Sequence, residues 1–159
     1  MAKNKKPRKS RNRYNPNPLF TLAVLQRNST EAFTRDKLDA LMLHVLSAMC
    51  AIERGQGTEE DILQLALASN ISLILCEADI GSEYIFQVKD AQHAITEMHE
   101  RFLSTGKVGL TGPGIIELRA MLDLHGQQMA HEDCTEGKMV QALREIQYRH
   151  QSGVLKALA

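Results

Sequence analysis

From residue 18 onward, apolar residues return every three or four positions, the spacing of one face of an α-helix. The clearest run is Leu38, Leu41, Met42, Val45, Leu46, Met49 and Ile52. It predicts a helix over about 35–54 with Thr34 as its N-cap. Gly55-Gln56-Gly57 closes it, glycine suiting the left-handed position that ends a helix. Thr58-Glu59-Glu60-Asp61 matches a capping box, with acids in the first turn where the helix dipole favours them. The helix it opens runs to about residue 79. Ile62, Leu63, Leu65, Leu67, Ile71, Leu73, Ile74 and Leu75 cover nearly every side of it. A helix apolar all round belongs inside a bundle, so this one is expected to be central.

After Gly81-Ser82, the residues Tyr84, Val88, Ala91, Ile95, Met98 and Phe102 alternate steps of four and three. That is the spacing of packed bundle helices, here over about 83–104. Thr105 to Gly114 is rich in glycine and reads as a loop. A helix over about 114–132 follows, with Ile115, Leu118, Leu122, His125 and Met129 on one face. Cys134-Thr135-Glu136-Gly137 breaks it. The last helix, about 136–151, presents Met139, Val140, Leu143, Ile146 and His150, and Gly153 ends it before the tail VLKALA. Ahead of all these, Asn17-Pro18 reads as a cap with Pro at the first helical position. It opens a short helix over about 19–26 that is apolar on most sides and must pack on something. No strand-like alternation and no internal repeat is present. The expected fold is all-α: an antiparallel bundle of about five helices plus the short N-terminal one, forming a single domain over 18–159.

Composition agrees. Ala, Leu, Met, Glu and Gln are abundant, and the 159 residues include only four Phe, three Tyr and no Trp, which favours helix over sheet. The three cysteines, Cys50, Cys76 and Cys134, are far apart and form no CxxC pair. They read as reduced thiols, implying the cytoplasm, or the nucleus in a eukaryote. The longest apolar stretch, Ile62 to Cys76, is interrupted by polar residues and too short to span a bilayer. The basic start followed by LFTLAVL lacks a cleavage site, so no secretory signal is expected.

Charge changes the picture most. The formal net charge is zero, yet residues 1–17 hold Lys3, Lys5, Lys6, Arg8, Lys9, Arg11 and Arg13 and no acid. The rest of the chain carries twelve basic residues against nineteen acidic ones. A +7 arm is joined to a −7 body. With Pro7 and Pro16, Pro18 just beyond, and almost nothing apolar, residues 1–17 are expected to be disordered until they meet a partner. Their charge suits nucleic-acid phosphates, with a log–log salt slope of up to about −6 if all seven engage a duplex. Tyr14 could stack on an exposed base. Such an arm reads backbone rather than sequence. The competing readings are an acidic protein partner, contact with the arm's own acidic body, and a solubility role. In a eukaryotic cell KNKKPRK would also pass for a nuclear import signal.

Candidate chemistry elsewhere is sparse. His93 and His99, like His125 and His131, are six apart, which places each pair on different helix faces. Asp90-x-x-His93 and His131-x-x-Cys134 have usable spacing, but each supplies two ligands where a metal site needs three or four. No metal or cofactor is expected. His125 lies in an apolar stripe and reads as a hydrogen-bonded core histidine. Cys50 and Cys76 fall at helical packing positions, and Cys134, at a helix boundary near His131, is the thiol expected to react most readily. Gly109-Leu-Thr-Gly-Pro-Gly114 superficially resembles a phosphate-cradling loop but has no preceding strand and no Lys-Ser/Thr ending. It reads as a loop with a Thr cap and Pro in the first turn. Asn70, between Leu67 and Ile74, is the kind of polar residue that fixes register between helices. No catalytic signature emerges.

The opening MAKNKKPRKSRNRYNPNP resembles the lysine- and arginine-rich starts of small, uncharacterised phage and prophage proteins. The likeness covers about 18 residues and is compositional; it implies a bacterial mobile-element setting and no activity. The function expected from the residues is that of a non-enzymatic accessory protein. Its basic arm would contact nucleic acid while its acidic body contacts protein or a second copy of itself. The alternative is a protein–protein module, an adaptor or inhibitor, acting through its acidic surface with the arm incidental.

Overall fold

A computed structural model of the chain describes residues 30–153. The arm, the helix expected over 19–26 and the tail lie outside the described residues. Five α-helices follow in order: α1 Arg35–Glu53, α2 Glu59–Glu77, α3 Ile85–Thr105, α4 Gly112–Ala130 and α5 Glu136–Gln151, with a 3₁₀ turn at Ser82–Tyr84 leading into α3. The all-helical bundle expected from the apolar spacing is present. Among the described residues the one β-type pairing is an isolated bridge between Ala32 and Thr135.

The helix starts are set locally. Thr58 and Asp61 form the reciprocal capping box: the Asp61 N–H donates to Thr58 Oγ1, and the Thr58 N–H donates to Asp61 Oδ2 at 2.7 Å. Thr111 and Thr135 cap α4 and α5 through their hydroxyls, and Pro113 sits in the first turn of α4. Thr34 occupies the N-cap position of α1 without a side-chain cap bond. Between α2 and α3 the chain turns through two left-handed residues, Asp79 and Gly81. Gly81 is also close-packed, because a Cβ there would lie 3.2 Å from Leu124 Cδ1.

Short connections make α1 to α4 alternate in direction. α2 and α4 therefore run the same way, and their contacts advance together, Ser72 with His125 and Cys76 with Gln128. α2 packs against every other α-helix, as its all-round apolar surface requires. The main core joins Val45, Met49 and Ile52 of α1, Ile62 and Leu65 of α2, Val88, Ile95 and Met98 of α3, and Leu118, Met121 and Leu122 of α4. Each fully buried Ile, Leu or Met contributes about 1.5–3 kcal/mol.

The last helix closes one end of the bundle. Glu136, in its first turn, is joined to Lys37 in the first turn of α1 at 2.5 Å, and Arg149 near its end forks onto the Glu77 carboxylate of α2. The start of α1 and the end of α2 lie at the same end of the bundle, so α5 crosses that end. Beneath it a second core collects Leu41, Ile71, Leu75, Ile80, Met129, Cys134 and Met139, with Phe33, Leu38, Leu67, Leu143 and Ile146 packed against it. No helix among the described residues is long and apolar enough to cross a membrane.

Candidate functional site

Lys3, Lys5, Lys6, Arg8, Lys9, Arg11, Arg13 and Tyr14, the residues expected to contact nucleic acid, lie outside the described residues. What is described is the point where the N-terminal segment joins the body. The Glu31 carbonyl accepts from the Glu136 N–H at 3.0 Å, Ala32 pairs with Thr135, and Phe33 packs into the second core. These contacts pin the chain beside the first turn of α5. Exposed acids surround the junction: Glu31, Asp36, Glu132 and Asp133. All nineteen acidic residues of the protein fall between Glu31 and Glu145, so the described body is acidic.

Inside the body, the polar side chains assemble where α2 meets α4. Ser72 Oγ lies 2.9 Å from His125 Nδ1, and both residues are buried. One turn on, the Gln128 side-chain amide donates to the Ser72 carbonyl at 3.1 Å and the Ile80 carbonyl at 2.8 Å, with Cys76 Sγ 3.2 Å away. The Cys76 thiol in turn donates to the Gly81 carbonyl. Sequence reasoning placed His125 in the core with a hydrogen bond, as found, but missed Ser72 and Gln128. The signal was present: Gln128 follows His125 by three residues, on the same apolar face.

A serine bonded to a histidine invites comparison with a nucleophile and its base. Burial decides otherwise. With no charged partner to offset desolvation, burial lowers the His125 pKa to about 4, making it a weak base at neutral pH, and Ser72 is fully covered. The cluster ties two core helices together. A shallow cleft of about 230 Å³ lies nearby, lined by Tyr84, Gln87, Ala120, Asp123, Leu124 and Gln127. It is smaller than the usual few hundred Å³ of ligand sites.

Two cysteine expectations are corrected. Cys134 is not a reactive boundary thiol. It is fully buried in the second core, and desolvation pushes its thiol up to about 11 despite Lys138 nearby. Cys50 is not at a packing position but exposed, because it falls on the side of α1 away from Val45, Met49 and Ile52. Cys76 is buried, as expected, and burial raises its pKa.

The paired ligands are not brought together. His93 faces Glu97 at 3.3 Å rather than Asp90. His131 is exposed beside Asp133 while Cys134 points into the core. Among the described residues no group of three or more His, Cys, Asp or Glu side chains is placed to hold a metal. The glycine-rich loop caps itself: Thr111 Oγ1 accepts the Gly114 N–H at 3.2 Å, and Arg101 Nη1 donates to the Gly109 carbonyl at 3.1 Å. Asn70 does join two helices, accepting from Gln92 Nε2 of α3 at 2.8 Å.

No family model, no curated protein and no solved structure matches this chain.

Proposed function

We propose that the protein is a non-enzymatic accessory protein whose basic arm contacts nucleic-acid phosphates while its acidic helical body contacts protein or a second copy. One observation carries this reading: charge is divided along the chain, with seven basic residues and no acid in 1–17 and every acid from Glu31 onward. A cationic segment joined to an anionic body is drawn to polyanions through the arm and held off them by the body, which limits contact to the arm. The buried histidine and cysteines support a non-enzymatic role, since His125, Cys76 and Cys134 are engaged in packing.

The test is a salt titration of binding to a fluorescent duplex and a fluorescent single strand. It compares the full chain with a variant in which Lys3, Lys5, Lys6, Arg8, Lys9, Arg11 and Arg13 are replaced by Gln. The full chain should bind with a log–log slope between about −3 and −6, and the variant should lose binding with its helicity intact. Equal binding by both chains would refute the role of the arm. The acidic body supports a second reading, a protein–protein module with the arm incidental. A stoichiometric protein partner kept by the variant and after nuclease treatment would favour it.

A further inference from the structure

The outer side of α1 carries an ordered strip. Asp39, Leu43, Leu46 and Cys50 are exposed, and at 100° per residue they lie within about 60° of arc, with Arg54 about 20° further round. Leu43 is 64 % exposed and Leu46 46 %, so two leucines and a free thiol face outward between an acid and a base. Among the described residues, neither the Asp39 carboxylate nor the Arg54 guanidinium has an ion-pair partner. The core lies on the Val45, Met49 and Ile52 side of α1. Lys37, which holds Glu136 of α5, is about 140° round the helix from the middle of the strip. α5, with residues 31–33 pinned to its first turn, therefore leaves the strip uncovered.

The order of side chains along the strip identifies what fits it. From the N-terminal end of α1 it runs acid, leucine, leucine, thiol, base, which is complementary to itself when reversed. Two copies of α1 set antiparallel across a two-fold axis beside Leu46 place Leu43 against the partner's Cys50, about 5 Å along the helix from the axis. Asp39 meets the partner's Arg54 about 11 Å from it. A parallel pair would set acid on acid and base on base, so charge selects the antiparallel arrangement. Each end is reinforced: Asp36 stands exposed beside Asp39, and Arg119, 64 % exposed while it grips Glu53, adds a cation toward Arg54. The strip is narrow beside the roughly 800 Å² per partner of a standard complex, so the association expected is micromolar.

We infer that two copies of the chain associate through α1, antiparallel about Leu46, burying Leu43, Leu46 and Cys50 between them and pairing Asp39 with the partner's Arg54. The inference rests on the reading of the body as a contact surface and chooses, of its two occupants, the second copy. It is independent of what the arm binds.

The experiment is sedimentation of the full, nuclease-treated chain over about 1–200 μM, where a monomer–dimer equilibrium is expected. Leu43→Glu/Leu46→Glu should stay monomeric throughout with helicity unchanged, since both side chains are exposed. Asp39→Arg should weaken the dimer at least about fivefold, and the swap Asp39→Arg/Arg54→Asp should return it to within about twofold of the native chain. Alkylation of Cys50 by a maleimide should slow as the native protein is concentrated, while Cys76 and Cys134 stay unreactive. A chain that remains monomeric at the highest concentration overturns the inference. So does a dimer that the leucine pair leaves intact, or a charge swap that restores nothing. Cys50 protection in a monomer, independent of concentration, also overturns it and assigns the strip to another segment of the same chain. A monomer that still holds one stoichiometric protein partner sinks only the choice of occupant; with no partner either, the reading of the body as a contact surface falls too.

Discussion

His125 Nδ1 lies 2.9 Å from Ser72 Oγ in a fully buried contact that fixes α4 against α2. The pair has a consequence for acid stability. The His125 pKa is lowered from 6.5 to about 4 by desolvation, so between those values the unfolded chain binds a proton that the folded chain refuses. Stability from this group is intact above about pH 6.5 and is lost as pH falls toward 4. The loss amounts to about 3 kcal/mol over that window. Urea unfolding at pH 7.5 and 4.5 measures it, and His125→Gln should flatten the difference. A native chain as stable at pH 4.5 as at 7.5 would contradict the assignment.

Gln128 bridges the end of α2 to the turn that follows, through the Ser72 and Ile80 carbonyls. Replacing it by Leu keeps the volume but leaves buried acceptors without their donor. The expected cost is about 2–4 kcal/mol in chemical denaturation. Hydrogen exchange should quicken first around residues 79–82.

Lys37 and Glu136 fasten α5 across the end of the bundle. The carboxylate side chain is 2 % exposed and the lysine 37 %, so solvent screens only one partner. Lys37→Met strands a buried carboxylate and should cost about 1–3 kcal/mol. The double change Lys37→Met/Glu136→Leu should recover at least half of that, because both charges are gone. A double-mutant cycle by urea melts tests this, and a strictly additive result would show that the pair is not coupled.

Two glycines should respond in opposite directions to alanine. At Gly57 a Cβ would lie 2.6 Å from Ile52 Cγ1 and 2.9 Å from Val108 Cγ1, so Gly57→Ala should lower the melting temperature. At Gly126, inside α4, the nearest atom is Met42 Cε at 3.5 Å, an ordinary contact. Gly126→Ala should gain about 0.5–1 kcal/mol from helix propensity. Thermal melts of the two variants settle both signs.

What the sequence determined by itself is the five α-helices among the described residues, their approximate ends, and the division of charge. Thr58 with Asp61 and Thr111 with Pro113 act within one turn of their own helix, so their pattern is legible without knowing the fold, whereas Thr135, read only as part of a break, turned out to cap the last helix. The apolar sides of α2 likewise required a central place. Periodicity finds an apolar face but does not say where that face meets a neighbour. Leu46 shares the spacing of Val45 and Met49 yet stands 46 % exposed, and Cys50, expected in the core, lies outside it. Only tertiary packing decided which thiol is covered, which polar residues meet across α2 and α4, and that α5 crosses the end of the bundle. Those outcomes depend on helices distant in sequence, as in Lys37 with Glu136 and Ser72 with His125, and local spacing carries no information about such partners.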